Sequence, residues 1–292
     1  MCRLHYHRRV SSPERPVTVL DKDEVLGGLF ASWDAIAALL ADAGEEQWRT
    51  PTALPGWDVH DVVAHIVGTE SMLSGITTPE PDVDLATVEH VRNFVGAMNE
   101  PWVRALRGES GAQLLARFRD VTAKRRAALS AMGIEEWNTP TQTPAGPDSY
   151  GRFMRIRVFD CWMHEQDIRD ALGRPPADAD LARPDSRLSL DEMASSMPFV
   201  VAKKGQAPAG SRVLISLSGP LAREIRVAVD GRAALVEDFG SAGPTIAIAL
   251  DGLQFTRLAG GRPLAAGRPG QIDFTGDTAA GARIVENLAY VI

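Results

Sequence analysis

Residues 151–173 read GRFMRIRVFDCWMHEQDIRDALG. No proline interrupts this stretch and a glycine ends it, so the spacing predicts one helix of about five to six turns. At about 100° per residue and with Asp160 as the reference direction, Phe153, Ile156, Met163 and Ala171 fall within roughly 60° of it. His164 and Asp167 fall there too, so polar groups sit inside the apolar stripe. A carboxylate and an imidazole taken out of water without partners cost several kcal/mol. A bound cation is the compensation that uses both residue types at once. An exposed, hydrogen-bonded Asp/His couple is the alternative reading of the same spacing.

Upstream, the pattern is helical throughout. From Asp21, Val25, Leu26, Leu29, Phe30, Trp33, Ile36, Leu39 and Leu40 recur at steps of three and four, predicting a first helix to about Ala43. The loop Thr50 to Trp57 carries two prolines and a glycine, and Asp58 stands at an N-cap position with Asp61 in the first turn. A second helix therefore starts near Val59, with His65 and Met72 along one margin of its apolar line. Val88 to Leu106 and Leu114 to Met132 predict two more helices, the latter with its arginines outward. Residues 136–150 read as a long loop able to form one lip of a pocket.

Beyond Gly173 the prolines at 175, 176 and 184 mark a linker, and residues 187–204 a connecting helix. Strand patterns follow at Val213–Ser218, Ile225–Val229, Thr245–Leu250 and Gln271–Phe274, with helices at Gly252–Ala259 and Thr278–Tyr290. The expected organisation is two domains: a disordered tail (1–20), an all-α helical bundle (21–173), a linker and connecting helix (174–210), and a smaller α+β domain (211–292).

The 292 residues carry 31 Lys+Arg against 38 Asp+Glu, a net charge of −7 that repels phosphate backbones, so nucleic acid is not an expected partner. Only Cys2 and Cys161 are present, which excludes a disulfide framework and fits a reducing cytoplasm. No run approaches the roughly 18 apolar residues of a membrane span, and the basic, polar start is not a signal peptide. His5 and His7 in that start are expected to be solvated. A monomer or homodimer is expected.

Two ligands four residues apart on one helix need a third from elsewhere. His65 is the remaining histidine placed in a helix at a core margin; His60 lies on the opposite side of that helix and His90 reads as solvent-facing. His65, Asp160 and His164 thus form the candidate set. Two imidazoles and one carboxylate with open positions describe a catalytic rather than a structural site, whereas His65 alone also reads as a satisfied core histidine. Asp167, one turn beyond His164, is either a rival ligand or the group that orients an imidazole. Cys161 reads as a small buried hydrophobe, and Glu165, Gln166 and Arg169 as solvated or ion-paired.

The blocks LPGWDVHDVVAHIVGTE (54–70) and RVFDCWMHEQDIRDALGRP (157–175) resemble the paired signature of the mycothiol-dependent maleylpyruvate isomerase family, within the DinB-like superfamily. GRAALVEDFGSAGPTIAIALDGLQFTRLAGGRP and FTGDTAAGARIVENL resemble the sterol-carrier-like C-terminal domain that accompanies the bundle. The resemblance implies an all-α up-down four-helix bundle for residues 21–173 and a divalent metal, commonly zinc, on His65, Asp160 and His164; the isomerase is similar but carries Glu where this chain has Asp160. It implies mycothiol as thiol cosubstrate, an electrophilic small molecule as partner, and isomerisation or conjugation as the reaction. It also implies an assisting arginine from the C-terminal domain, Arg262 first and Arg257 next, against the plain reading of each as a solvated or ion-paired charge. Trp57, Trp162 and the 136–150 loop are expected to shape the pocket. A non-catalytic metal- or ligand-binding protein and a metal-dependent hydrolase are the alternatives.

Overall fold

The computed structural model describes residues 17–263 and 271–291. His5, His7 and Cys2 lie outside them. The order is α1 (Lys22–Leu39), α2 (Glu45–Trp48), α3 (Val59–Leu73), α4 (Phe94–Leu106), α5 (Gly111–Ala131), α6 (Ile134–Trp137), β1 (Pro140–Thr143), β2 (Gly146–Ser149), α7 (Tyr150–Ala171), α8 (Asp178–Leu181) and α9 (Pro184–Phe199). Then come β3 (Arg212–Ser218), β4 (Arg223–Asp230), β5 (Arg232–Leu235), β6 (Ile246–Asp251), α10 (Gly252–Ala259), β7 (Asp273–Gly276) and α11 (Thr278–Glu286). A helical region followed by a sheet-bearing one is the architecture expected from the sequence, with the β1–β2 hairpin as an addition to the helical part.

Helices α1, α3, α5 and α7 surround one core, to which they give Leu29, Trp33 and Ile36, Val62 and Ile66, Leu114 and Phe118, and Met154 and Val158. At about 1.5–3 kcal/mol for each such side chain removed from water, this burial fixes the mutual placement of α3 and α7 on which the site depends. Their ends are set locally. Asp58 Oδ1 accepts from Asp61 N at 2.9 Å to start α3, and Ser149 Oγ accepts from Arg152 N at 3.0 Å to start α7. Gly173, at φ +63°, ends α7.

The second core is built on a five-stranded sheet of order β5-β4-β3-β6-β7, with β3 and β6 parallel and the other pairs antiparallel. Alternation buries one face: Val213, Ile215 and Leu217 on β3, Ile246, Ile248 and Leu250 on β6. Phe159, Trp162 and Met163 of α7 join the same cluster, so α7 belongs to both cores. At Gly260 an added Cβ would stand 2.4 Å from Met163 Cε, which makes glycine the residue that lets the loop after α10 lie directly on α7.

Three expectations change. Helix α4 starts at Phe94 rather than Val88, because Asn93 caps it through Gly96 N while Leu85–Thr87 form a separate 3-10 turn. Residues 136–150 are not a long loop, and the cleft that Asn138 lines lies at the start of α1 rather than at the histidines. They hold the end of α6 and the β1–β2 hairpin, anchored by Trp137, which is buried and donates to Leu20 O at 3.0 Å. That anchor sits at the start of α7, about 15 Å of helix rise from Asp160. The chain is also tied down before residue 21, since Thr18 N donates to Asp148 Oδ1 at 2.6 Å.

Candidate metal centre

His65 comes from the middle of α3, Asp160 and His164 from α7. Their candidate donor atoms all lie within 4.8 Å of one another. His65 Nε2 stands 3.2 Å from Asp160 Oδ2, and His164 Nε2 stands 3.5 Å from Asp160 Oδ1. With bonds of about 2.0–2.1 Å, donors around a tetrahedral ion are roughly 3.3 Å apart, so these separations need little adjustment. The histidines are buried, whereas the Asp160 side chain keeps 28% of its surface exposed, which marks the open side of the cluster.

The surroundings orient each donor. His164 Nδ1 lies 3.0 Å from Asp167 Oδ2, and Asp167 accepts two bonds from Arg262, Nε at 2.9 Å and Nη2 at 2.7 Å. Asp167 thus leaves His164 Nε2 turned toward the cluster, the arrangement by which an outer carboxylate fixes a ligating imidazole. Arg262 lies in an ion pair, as the plain reading of that residue had it, and that pair joins the C-terminal region to α7 beside the cluster. Arg257 pairs with Asp170 one turn farther on.

Trp57 stands against the histidines, its ring centroid 5.4 Å from that of His65 and 6.5 Å from that of His164. Its Nε1 donates to Glu100 Oε2 at 3.3 Å, and the same oxygen is 2.8 Å from His90 Nε2. His90 is therefore not solvent-facing: it pairs with a buried glutamate. Trp162 is no pocket wall either. It is fully buried against α9, where Nε1 donates to Ser186 Oγ at 2.9 Å. Glu165 is buried and paired with Arg169 and Arg183.

Sequence reasoning missed the groups behind Asp160. Arg157 bonds Asp160 Oδ2 through Nη1, and its Nε donates to Glu70 Oε1 at 3.0 Å. Glu70 Oε2 accepts from Arg125 Nε at 3.0 Å, and Arg125 Nη2 meets the Tyr150 hydroxyl at 3.0 Å. All three ionic groups behind Asp160 are buried, so Arg125 does not lie on the outer face of α5.

The electrostatics follow from this packing. Burial drives the Asp160 carboxyl upward, but Arg157, His164 and His65 together outweigh it and hold the group well below the usual carboxylate range. Burial lowers His65. It pulls His164 the same way, but Asp160 and Asp167 prevail and raise that group. Burial pushes the Cys161 thiol up to about 12. Cys161 is accordingly expected to stay unmodified by iodoacetamide at pH 8 in native protein and to react in denaturant, as peptide mass spectrometry would read; alkylation of the native chain within minutes would contradict this burial.

A second cluster, Asp58, His60 and Asp61, has donor atoms equally close. Its carboxylates are already engaged, Asp61 by Arg107 at 3.0 Å and Asp58 by the start of α3, and His60 Nε2 meets Glu109 O at 3.0 Å.

Residues 29–169 match the model of the mycothiol maleylpyruvate isomerase N-terminal domain, and residues 187–283 match that of the MDMPI C-terminal domain. The chain belongs to the mycothiol maleylpyruvate isomerase family. An uncharacterised Mycobacterium tuberculosis protein, found in strains H37Rv and CDC 1551, is 26% identical over 157 residues; the match covers 52% of this chain and 58% of that one. The crystal structure of the mycothiol-dependent maleylpyruvate isomerase superposes with a TM-score of 0.58 at 14% identity, covering 88% of this chain and 93% of that one. A histidine-to-alanine mutant of that isomerase gives 0.54 at 15%, covering 84% and 90%. At these identities the likeness is one of fold. Among the described residues, no helix is long and apolar enough to cross a membrane.

Proposed function

We propose that His65, Asp160 and His164 hold a divalent cation, zinc being the ion suited to two imidazoles and a carboxylate, and that the site serves a reaction of mycothiol with an electrophilic small molecule. The observation that carries this reading is the convergence of three donors from two helices, with Asp167 turning His164 Nε2 inward. Bound there, the ion supplies Lewis acidity that favours the thiolate of a thiol otherwise protonated near neutral pH.

The remaining work belongs to side chains. Arg157 keeps Asp160 ionised and aimed. Trp57 walls the histidines from water on one side and leaves access past the exposed edge of Asp160. Arg262, spent on Asp167 and Gly260 O, acts by positioning His164 through Asp167. A purely structural metal site closes with four protein ligands; three donors and an open carboxylate edge favour an enzyme.

The test is a screen of electrophiles with metal-loaded protein, with and without mycothiol. Thiol-dependent isomerisation or conjugation is expected. Equal turnover without thiol would point to hydrolysis instead, and no turnover with either would leave a binding protein.

A further inference from the structure

Strand β5 is one edge of the five-stranded sheet, with β4 on one side and, among the described residues, no strand on the other. Its pairing with β4 fixes which backbone groups face outward. Ala234 stands opposite Ala228, and Val236 N donates to Arg226 O at 3.1 Å, so the backbone of Ala234 and Val236 is turned to β4. In an antiparallel ladder such residues alternate with ones whose backbone points away. Ala233 and Leu235 therefore present their N–H and C=O groups to the free edge. No proline or lysine stands in residues 232–236 to blunt it, and Leu235 is 45% exposed.

The charges around this edge favour one occupant. Arg232 opens β5, Glu237 and Asp238 follow its end, and all three are exposed. Among the described residues none of the three has an ion-pair partner. A second copy laid parallel to the edge would bring like charges together. Laid antiparallel, it sets each Arg232 against the acidic pair of the other chain, and a two-fold axis makes that contact twice. We propose that β5 pairs antiparallel with β5 of a second copy of this chain, joining the two sheets edge to edge.

Centring the axis on Ala234 uses the edge as it stands. Ala233 of each copy then faces Leu235 of the other, and the outward backbone groups of those residues close four N–H to C=O bonds. Ala234 meets its own counterpart in the closer, unbonded pairing, which so small a side chain permits. Leu235 lies opposite Val227 on β4, on the face of the sheet that is buried, and Ala233 of the second copy covers its exposed side. One short strand from each copy makes a seam below the standard interface of about 1,200–2,000 Å², so the dimer is weak and forms at high protein concentration.

Sedimentation velocity of the full-length, chelator-treated protein, from micromolar to millimolar concentration, reads the association without involving the metal site. A rising dimer fraction is expected, one that shrinks as salt is added. Arg232→Glu makes the edge wholly acidic, and Glu237→Arg with Asp238→Arg makes it wholly basic. Each variant alone is expected to associate about tenfold more weakly, because the axis repeats every repulsion. Their equimolar mixture should regain the dimer, since an acidic edge then meets a basic one. Leu235→Pro takes away an outward donor and leaves the β4 ladder intact, so it should abolish pairing with circular dichroism unchanged. A monomer over the whole range, a dimer undiminished by the charge reversals or in folded Leu235→Pro, or a mixture no tighter than its components would overturn the proposal.

Discussion

Glu70→Ala is expected to remove about 3–5 kcal/mol of folding stability, the usual scale for breaking a buried ion pair from one side. Glu70 has no exposed surface and serves two guanidiniums, Arg125 from α5 and Arg157 from α7. Truncating it takes the shared carboxylate from both, leaving Arg157 with Asp160 and Arg125 with the Tyr150 hydroxyl. Neither can escape by losing a proton, because a guanidinium stays charged at any pH at which the protein is folded. Against a total stability of about 5–15 kcal/mol, the loss is a fifth or more of what holds a domain folded. Urea denaturation of the two proteins at one pH reads it directly, and a shift below about 1 kcal/mol would show that water or rearrangement already shields these charges. Removing two members of the Glu70–Arg125–Arg157 triad together, as Glu70→Leu with Arg125→Met, is expected to cost less than Glu70→Ala alone, since Arg157 keeps Asp160 as its partner and a buried ion pair often adds little net stability over apolar side chains of like volume. That contrast separates the cost of an orphaned charge from the worth of the network.

The triad shows what periodicity conveys and what it does not. Arg125 falls on the line Leu114, Phe118, Val121, Leu129, and Glu70 on the line Val59, Val63, Ile66, each at steps of three and four that place it inward. Both signals stand in the sequence. Taking arginines as outward overrides them, because charged residues are rarely buried unless paired, and their partners on other helices cannot be seen in one helix's pattern. The Asp160/His164 pair was legible because both members share one helix. Trp162 shows the opposite limit. Its apolar bulk is plain, but whether it faces a pocket or a core depends on α9 and the sheet, which arrive later in the chain. The strand alternation gave β3, β4 and β6 closely. It gave neither β5, short and largely exposed, nor the β1–β2 hairpin, whose prolines and glycine resemble a plain loop.

Loss of metal should follow removal of either imidazole. Wild-type protein is expected to hold about one divalent ion per chain by elemental analysis after gel filtration, and His65→Ala and His164→Ala to hold almost none, with circular dichroism unchanged. Asp167→Asn provides the finer measurement. It keeps all three donors but removes the carboxylate that fixes His164 through Nδ1 and that pairs with Arg262. Losing such an outer partner typically costs about 10–100-fold in metal affinity, so a chelator competition should place this variant between the wild type and the ligand deletions. The same order should appear in melting. Metal at 100 times its dissociation constant stabilises by about 2.7 kcal/mol, so a tenfold weaker variant at that concentration loses about 1.4 kcal/mol of it, and a ligand deletion nearly all. Full metal retention in both histidine variants would remove the centre. Retention in His65→Ala alone would mean that α7 supplies the third donor itself, with Asp167, one turn from His164, released from Arg262 to do so.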